Sequence, residues 1–119
     1  MSRSPELRSR AARKVLLAVE ESAKHSRFWK SVEEILSKSR SRRAEVNIGK
    51  IARLTKPGDK IVVPGKVLGG GSIKHAVTVA ALSFSSTALN KLRAAGCNVM
   101  QIDEFAKVEP KGSGVKIIV

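Results

Sequence analysis

Leu7, Ala11, Val15 and Val19 recur every four residues, and Ala12 and Leu16 widen the stripe. This spacing predicts an α-helix with Ser4 as its cap, Pro5 in its first turn and an end near His25. A second helix is expected from near Ser26 to near Ser37, where Phe28, Trp29, Val32, Ile35 and Leu36 fall at helical intervals. A third, from about Ala44 to Leu54, buries Ile48, Ile51 and Ala52, while Lys50 and Arg53 share its polar side. Pro57-Gly58-Asp59 then signals a turn.

Beyond that turn the period changes. Lys60-Ile61-Val62-Val63 is a short β-branched run, Pro64-Gly65 interrupts it, and Lys66-Val67-Leu68 resumes it ahead of three glycines. Ala76 to Leu82 reads as a buried strand. Ser85 caps a helix in which Ala88, Leu89, Leu92 and Ala95 face inward, and Gly96 stands where a left-handed stop is needed. Asn98-Val99-Met100 is a strand candidate, Asp103 opens a short helix containing Phe105, and Val115 to Val119 is a last strand. The expected fold class is therefore α/β, with a helical amino-terminal extension of about three helices. One domain is expected over 1–119, with a basic helical part (1–56) and an α/β core (57–119).

Charge changes the picture most. The 119 residues carry a net charge of +13, far beyond what solubility requires, and self-repulsion at that charge calls for an anionic partner. Residues 1–66 hold 17 of the 23 Lys and Arg against seven acids, so the partner is expected to touch the first half most. Arg3, Arg8, Arg10, Arg13 and Lys14 surround the start of the first helix. A hydrophobic content of 42% is enough to close a core, which argues against a wholly disordered basic tail. No apolar run approaches the roughly 18 residues of a membrane span, and a single cysteine, Cys97, reads as a small buried hydrophobe in a reducing compartment. A cytoplasmic location with no membrane partner is the expectation.

Catalytic chemistry finds little support. His25 and His75 stand 50 residues apart without clustered ligands, so no metal site is expected. Glu20-Glu21 and Glu33-Glu34 are adjacent pairs that point in different directions and read as solvated helix charge. No Gly-x-Ser-x-Gly elbow holds a serine. PGKVLGGGS fails as a phosphate-binding Walker loop, because Lys66 precedes the glycines rather than following them, and Gly-x-Gly-x-x-Gly fails as well. The run reads instead as a hairpin-like turn between strands, whose bare glycines allow backbone amides to approach a polyanion. No cofactor and no small-molecule substrate are expected.

KSRSRRAEVNIGKIARL is the most specific stretch. Lys38, Arg40, Arg42 and Arg43 are separated by serines that leave the cations free to reach separate phosphates, and Lys38 to Lys56 carries seven cations against one acid. With aromatics at 3% and tyrosine absent, no stacking platform for single strands is available. What remains is recognition of folded RNA by shape and phosphate, with arginine preferred for its fork.

Leu36 to Ile48 (LSKSRSRRAEVNI) resembles the signature of the archaeal and eukaryotic large-subunit ribosomal protein family eighteen-e, a sister of the bacterial large-subunit protein fifteen. VVPGKVLGGG, VTVAALSFSSTALNKLRAAGC and EPKGSGVKIIV resemble the rest of that family in order. The resemblance implies a non-enzymatic constituent of the large ribosomal subunit, bound to its ribosomal RNA and to neighbouring ribosomal proteins. It implies also a core of irregular strand-strand-helix units wound as a short superhelix. By the same resemblance Arg40, Arg42, Arg43 and Asn47 fall in the segment that meets ribosomal RNA. Lys66 with Gly69, Gly70 and Gly71 matches the glycine loop, and Lys111 begins the final turn. Asn47 either hydrogen-bonds RNA or holds the loop by capping contacts. The sequence stops short of the basic extension of cytosolic eukaryotic members and so looks archaeal. The rival expectations are a free chromatin-type RNA- or DNA-binding protein, which predicts a recognition helix or dimer symmetry, and an RNA-processing enzyme, which predicts an acid, base or metal group in a cleft.

Overall fold

The computed structural model describes the backbone of residues 4–38 and 44–119 and the side chains of residues 13–37 and 45–119. Its elements follow in the order α1 (Ser4–Ala23), α2 (Arg27–Lys38), β1 (Ala44–Asn47), α3 (Ile48–Leu54), β2 (Lys60–Leu68), β3 (Thr78–Phe84), α4 (Ser86–Ala94), β4 (Asn98–Gln101), α5 (Ile102–Val108) and β5 (Val115–Ile117). All the described strand pairings are parallel. β2 pairs with β3 along one edge. Its other edge is shared, by β5 at Lys60–Val62 and by β1 at Gly65–Leu68, and β4 extends the sheet beyond β3.

Parallel strands are usually buried on both faces, which is why β2 and β3 read as continuous apolar runs rather than as alternations. Ile61, Val63, Val67, Val79 and Ala81 pack with Ile48 and Ile51 of α3 and Ala88 and Leu92 of α4. Val62 and Ala80 point the other way, against Val15 and Val19 of α1, Trp29, Val32 and Leu36 of α2, and Ile102 and Phe105 of α5. The result is a sheet sandwiched between two helical layers. Trp29 and Phe105, both essentially inaccessible, form the centre of the second layer at a ring separation of 6.0 Å. Burying an aromatic side chain of this kind is worth roughly 4–6 kcal/mol by area.

Local chemistry explains where the elements stop. Ser85 accepts from the Ala88 amide at 3.1 Å, as the sequence predicts, and Gly96 takes φ +80° after α4. Cys97 N–H then donates to Leu92 and Gly96 N–H to Arg93, which closes the helix and carries the Cys97 thiol into the core beside Leu92. Ser26 does two jobs at the start of α2: it accepts from the Trp29 amide and donates to the Lys111 carbonyl at 2.7 Å. Trp29 Nε1 donates to the Glu109 carbonyl at 2.8 Å, and the Phe28 ring lies against Gly112. Together these contacts pin the loop of residues 109–114 onto α2.

Three expectations need correction. The third helix is shorter than expected, because Ala44–Asn47 is a strand and only Ile48–Leu54 is helical. The Pro64-Gly65 interruption lies inside one strand rather than between two. From Val63 to Lys66 β2 advances three residues while its partner advances two, from Ala81 to Ser83, so one extra residue is absorbed as a bulge that tolerates the missing proline N–H. Finally, β2 and β3 are parallel, so the chain after the glycines makes a returning connection, not a hairpin turn.

Candidate nucleic-acid interface

β1 delivers Glu45, Val46 and Asn47 to the edge of the sheet, and α3 begins immediately with Gly49, Lys50 and Arg53 on its outer side. These residues, with Gly70 and Gly71, line an open depression of about 480 Å³. The site is assembled from two stretches of chain twenty residues apart. Asn47 takes an extended backbone at the cap position of α3, but its side chain makes no bond to the helix. Its Oδ1 instead accepts from the Gly70 amide at 2.9 Å, while Gly49 N–H donates to the Gly70 carbonyl at 3.0 Å. Of the two roles open to Asn47, holding a loop is therefore occupied, and the loop held is the glycine run.

The approach is close enough to demand glycine. A Cβ on Gly71, whose φ is +86°, would stand 2.8 Å from Gly49 Cα. One on Gly70 would meet Asn47 Oδ1 at 2.5 Å. Lys91 of α4 closes the loop from the opposite side, its Nζ donating to both the Gly69 and Gly71 carbonyls at 2.8 Å.

The cations are unequal. Lys50 is half-buried and its ammonium donates to the Val119 carbonyl, leaving two N–H groups for another acceptor. The exposed side chains of Arg53 and Lys66 make no hydrogen bond or ion pair among the described residues. Lys66 stands opposite Glu45 in the register of β1 with β2, which puts it at the margin of the depression. Asp59, in the turn before β2, accepts from the Lys56 amide at 2.9 Å and from Lys116 Nζ at 3.1 Å. The Lys56 amide first, and the Lys116 ammonium second, hold its carboxyl below the usual range.

Of the residues singled out in the sequence, Asn47, Lys50, Arg53, Gly70 and Gly71 meet in the depression, with Gly69 behind them and Lys66 beside them. Arg13 and Lys14 lie exposed on α1, where Lys14 is 3.7 Å from the buried Asp103. Lys111 is exposed on the loop that α2 pins. Arg8, Arg10 and Lys38 are on helices, but their side chains lie outside the described residues, as do Arg3, Arg40, Arg42 and Arg43 altogether. Residues 39–43 connect α2 to β1 and so lead directly into Glu45, Val46 and Asn47.

Sequence reasoning missed Lys91 and Gly49. A lysine on the outer face of a helix carries no mark of an internal partner. Gly49 did carry one, since a glycine in the first turn of a helix weakens it and implies a close neighbour. A second depression, of about 500 Å³ along α1 and α2, is lined by Glu20, Glu21 and Glu33 together with Lys24 and Lys30, and Lys24 pairs with Glu21 at 3.1 Å, so no excess of positive charge gathers there for phosphate. Among the described residues no three His, Cys, Asp or Glu gather as a metal site, and no helix is long and apolar enough to cross a membrane.

Residues 17–119 match the family model described as ribosomal protein 60S L18 and 50S L18e. The large ribosomal subunit protein eL18 of Archaeoglobus fulgidus is 54% identical over 100 residues, which is 83% of this chain and 86% of the relative. The eL18 protein of Thermoplasma acidophilum is 50% identical over 93 residues, 78% of each chain. That of Pyrobaculum aerophilum is 41% identical over 97 residues, 82% of this chain and 80% of the relative. With a family model covering all but the first sixteen residues and relatives this similar along most of their length, the chain belongs to the family of ribosomal proteins 60S L18 and 50S L18e.

Proposed function

We propose that this protein is a structural, non-catalytic constituent of the large ribosomal subunit that binds and organises ribosomal RNA through phosphate contacts. Family membership supports the ribosomal role. The phosphate reading rests on one observation above all: Lys50, Arg53, Gly70 and Gly71 of separate chain segments converge on one open depression. The run from Lys38 to Arg43 supplies four further cations to the strand that forms its wall. Arg40, Arg42 and Arg43 reach separate phosphates, Arg53, Lys66 and the free donors of Lys50 add to them, and RNA helices that would otherwise repel are held together. Arg3, Arg8, Arg10, Arg13, Lys14 and Lys111 extend contact beyond the depression. Neighbouring ribosomal proteins complete the set of partners, and the whole chain acts as one domain.

Replacing Arg40, Arg42 and Arg43 together by Ala tests this directly. Circular dichroism should be unchanged, while incorporation into large-subunit particles on a sucrose gradient should fall. Normal incorporation of the triple variant would overturn the reading. A free chromatin-type protein is distinguished in the same gradient, because it would not sediment with large subunits at moderate salt.

A further inference from the structure

The glycine loop uses its carbonyls and its amides differently. Gly69 and Gly71 carbonyls accept from Lys91, and the Gly70 carbonyl accepts from Gly49 N–H, so all three are held by donors of the protein itself. In a trans peptide the N–H points opposite to the carbonyl of the same unit. The amide paired with the Gly69 carbonyl is that of Gly70, and it points at Asn47 Oδ1. The amides paired with the Gly70 and Gly71 carbonyls are those of Gly71 and Ser72. Both residues are exposed, and neither amide finds an acceptor among the described residues.

We infer that Lys91 is a positioning residue for the RNA interface: by holding the Gly71 carbonyl it turns the Ser72 amide outward as a phosphate donor, beside the Gly71 amide that Gly49 orients through the Gly70 carbonyl. This inference rests on the phosphate reading proposed above. Left free, the two carbonyls would be able to turn outward and oppose a phosphate with their negative ends. Bound to the ammonium, they are held away and neutralised, and a loop of three flexible glycines keeps one shape before RNA arrives, so less ordering is required on binding. The ammonium of Lys91 is engaged by two loop carbonyls, unlike the guanidinium of Arg53 on the outer side of α3, which has no partner among the described residues. The two cations therefore contribute to RNA affinity by different physics, and salt separates them.

The experiment uses the full chain, a transcript of the large-subunit ribosomal RNA, and binding measured over a range of KCl. Arg53→Met should lower the slope of log K against log salt by about 0.7–0.9, the signature of one lost phosphate contact. Lys91→Met should weaken binding about tenfold, the worth of one hydrogen bond to a charged group, while leaving the slope unchanged. It should also speed amide exchange across residues 69–74, followed by mass spectrometry. Lys91→Arg, which can span both carbonyls, should recover both affinity and protection. A Lys91→Met slope that falls as far as that of Arg53→Met, with exchange unaltered, makes Lys91 a direct phosphate ligand and overturns the inference. So does recovery of affinity by Lys91→Arg without recovery of protection. If Arg53→Met and the arginine triple variant both bind as tightly as the parent while Lys91→Met still loosens the loop, the phosphate reading fails and the clamp stands without its function.

Discussion

Gly58 and Gly71 share a φ of +86°, yet they differ completely in what surrounds them. No atom lies within 4 Å of a Cβ built on Gly58. At Gly71 the new methyl would stand 2.8 Å from Gly49 Cα and 3.0 Å from Gly49 N, well inside the usual carbon contact of about 3.5–4.0 Å. Alanine at either position must adopt the left-handed region, at about 1–2 kcal/mol. Only at Gly71 does a clash with backbone follow, which a side-chain rotation cannot relieve, and overpacking of that kind adds about 1–3 kcal/mol. Gly58→Ala should therefore lower stability by about 1–2 kcal/mol and Gly71→Ala by about 2–5 kcal/mol. At roughly 4 °C per kcal/mol for a chain of this size, the melting temperatures should fall by about 4–8 °C and about 8–20 °C. Thermal unfolding followed by circular dichroism reads both. Since the clash is with the first turn of α3, Gly71→Ala should also weaken binding to ribosomal RNA, and Gly58→Ala should not. Equal losses of stability in the two variants would show that backbone conformation alone sets the cost and that the loop has room to move away from α3.

Two other perturbations probe the frame around the site. Gly112, at φ +65°, is buried with a built Cβ only 2.3 Å from Phe28 Cδ2, whereas Gly114, at φ +71°, has nothing within 4 Å. Gly112→Ala should be the more destabilising by about 1–3 kcal/mol in denaturant unfolding, and Phe28→Ala in the same chain should absorb that excess; additive losses would refute the contact. Because the Asp59 carboxyl is held below its ordinary value, its ionised form favours the folded state. Its contribution is present above the unfolded pKa of about 3.8 and disappears as pH falls through the lower folded value. Asp59→Asn should thus be less stable than the parent near neutrality and equal to it in strong acid; a gap independent of pH would show that charge is not the cause.

The parts of the fold that were legible in the sequence are those set by local chemistry. The stripe Val15, Val19 and the capping by Ser85 with Gly96 as stop depend on neighbours within a few residues, and they appear as predicted. Ala44 to Asn47 reads as helix because the spacing of Ile48, Ile51 and Ala52 extends smoothly backwards through it. Its partner is Gly65 to Leu68, some twenty residues later, and no local pattern announces that pairing. The same limit applies to the site. Lys50, Arg53 and the glycines were recognisable as chemistry, but their meeting depends on a parallel crossing of the chain. Lys91 belongs to the loop only because α4 lies across it, so its role exists in three dimensions and not in the order of residues.

The shared edge of β2 has a consequence for the order in which the molecule is made. β1 precedes β2 in the chain and is available to close the Gly65–Leu68 half as soon as β2 emerges from synthesis. The Lys60–Val62 half waits for β5, whose Val115 pairs with Lys60 across 55 residues. Until residues 115–118 have emerged, a strand of Ile61 and Val62 is left with bare peptide groups along half of one edge, the kind of surface that recruits strands from other chains. A nascent chain that stalls before Val115 therefore carries the pairing of β1 with β2 beside an open, adhesive seam. Completion of the fold and protection from aggregation are the same late event, the pairing of β5 with β2.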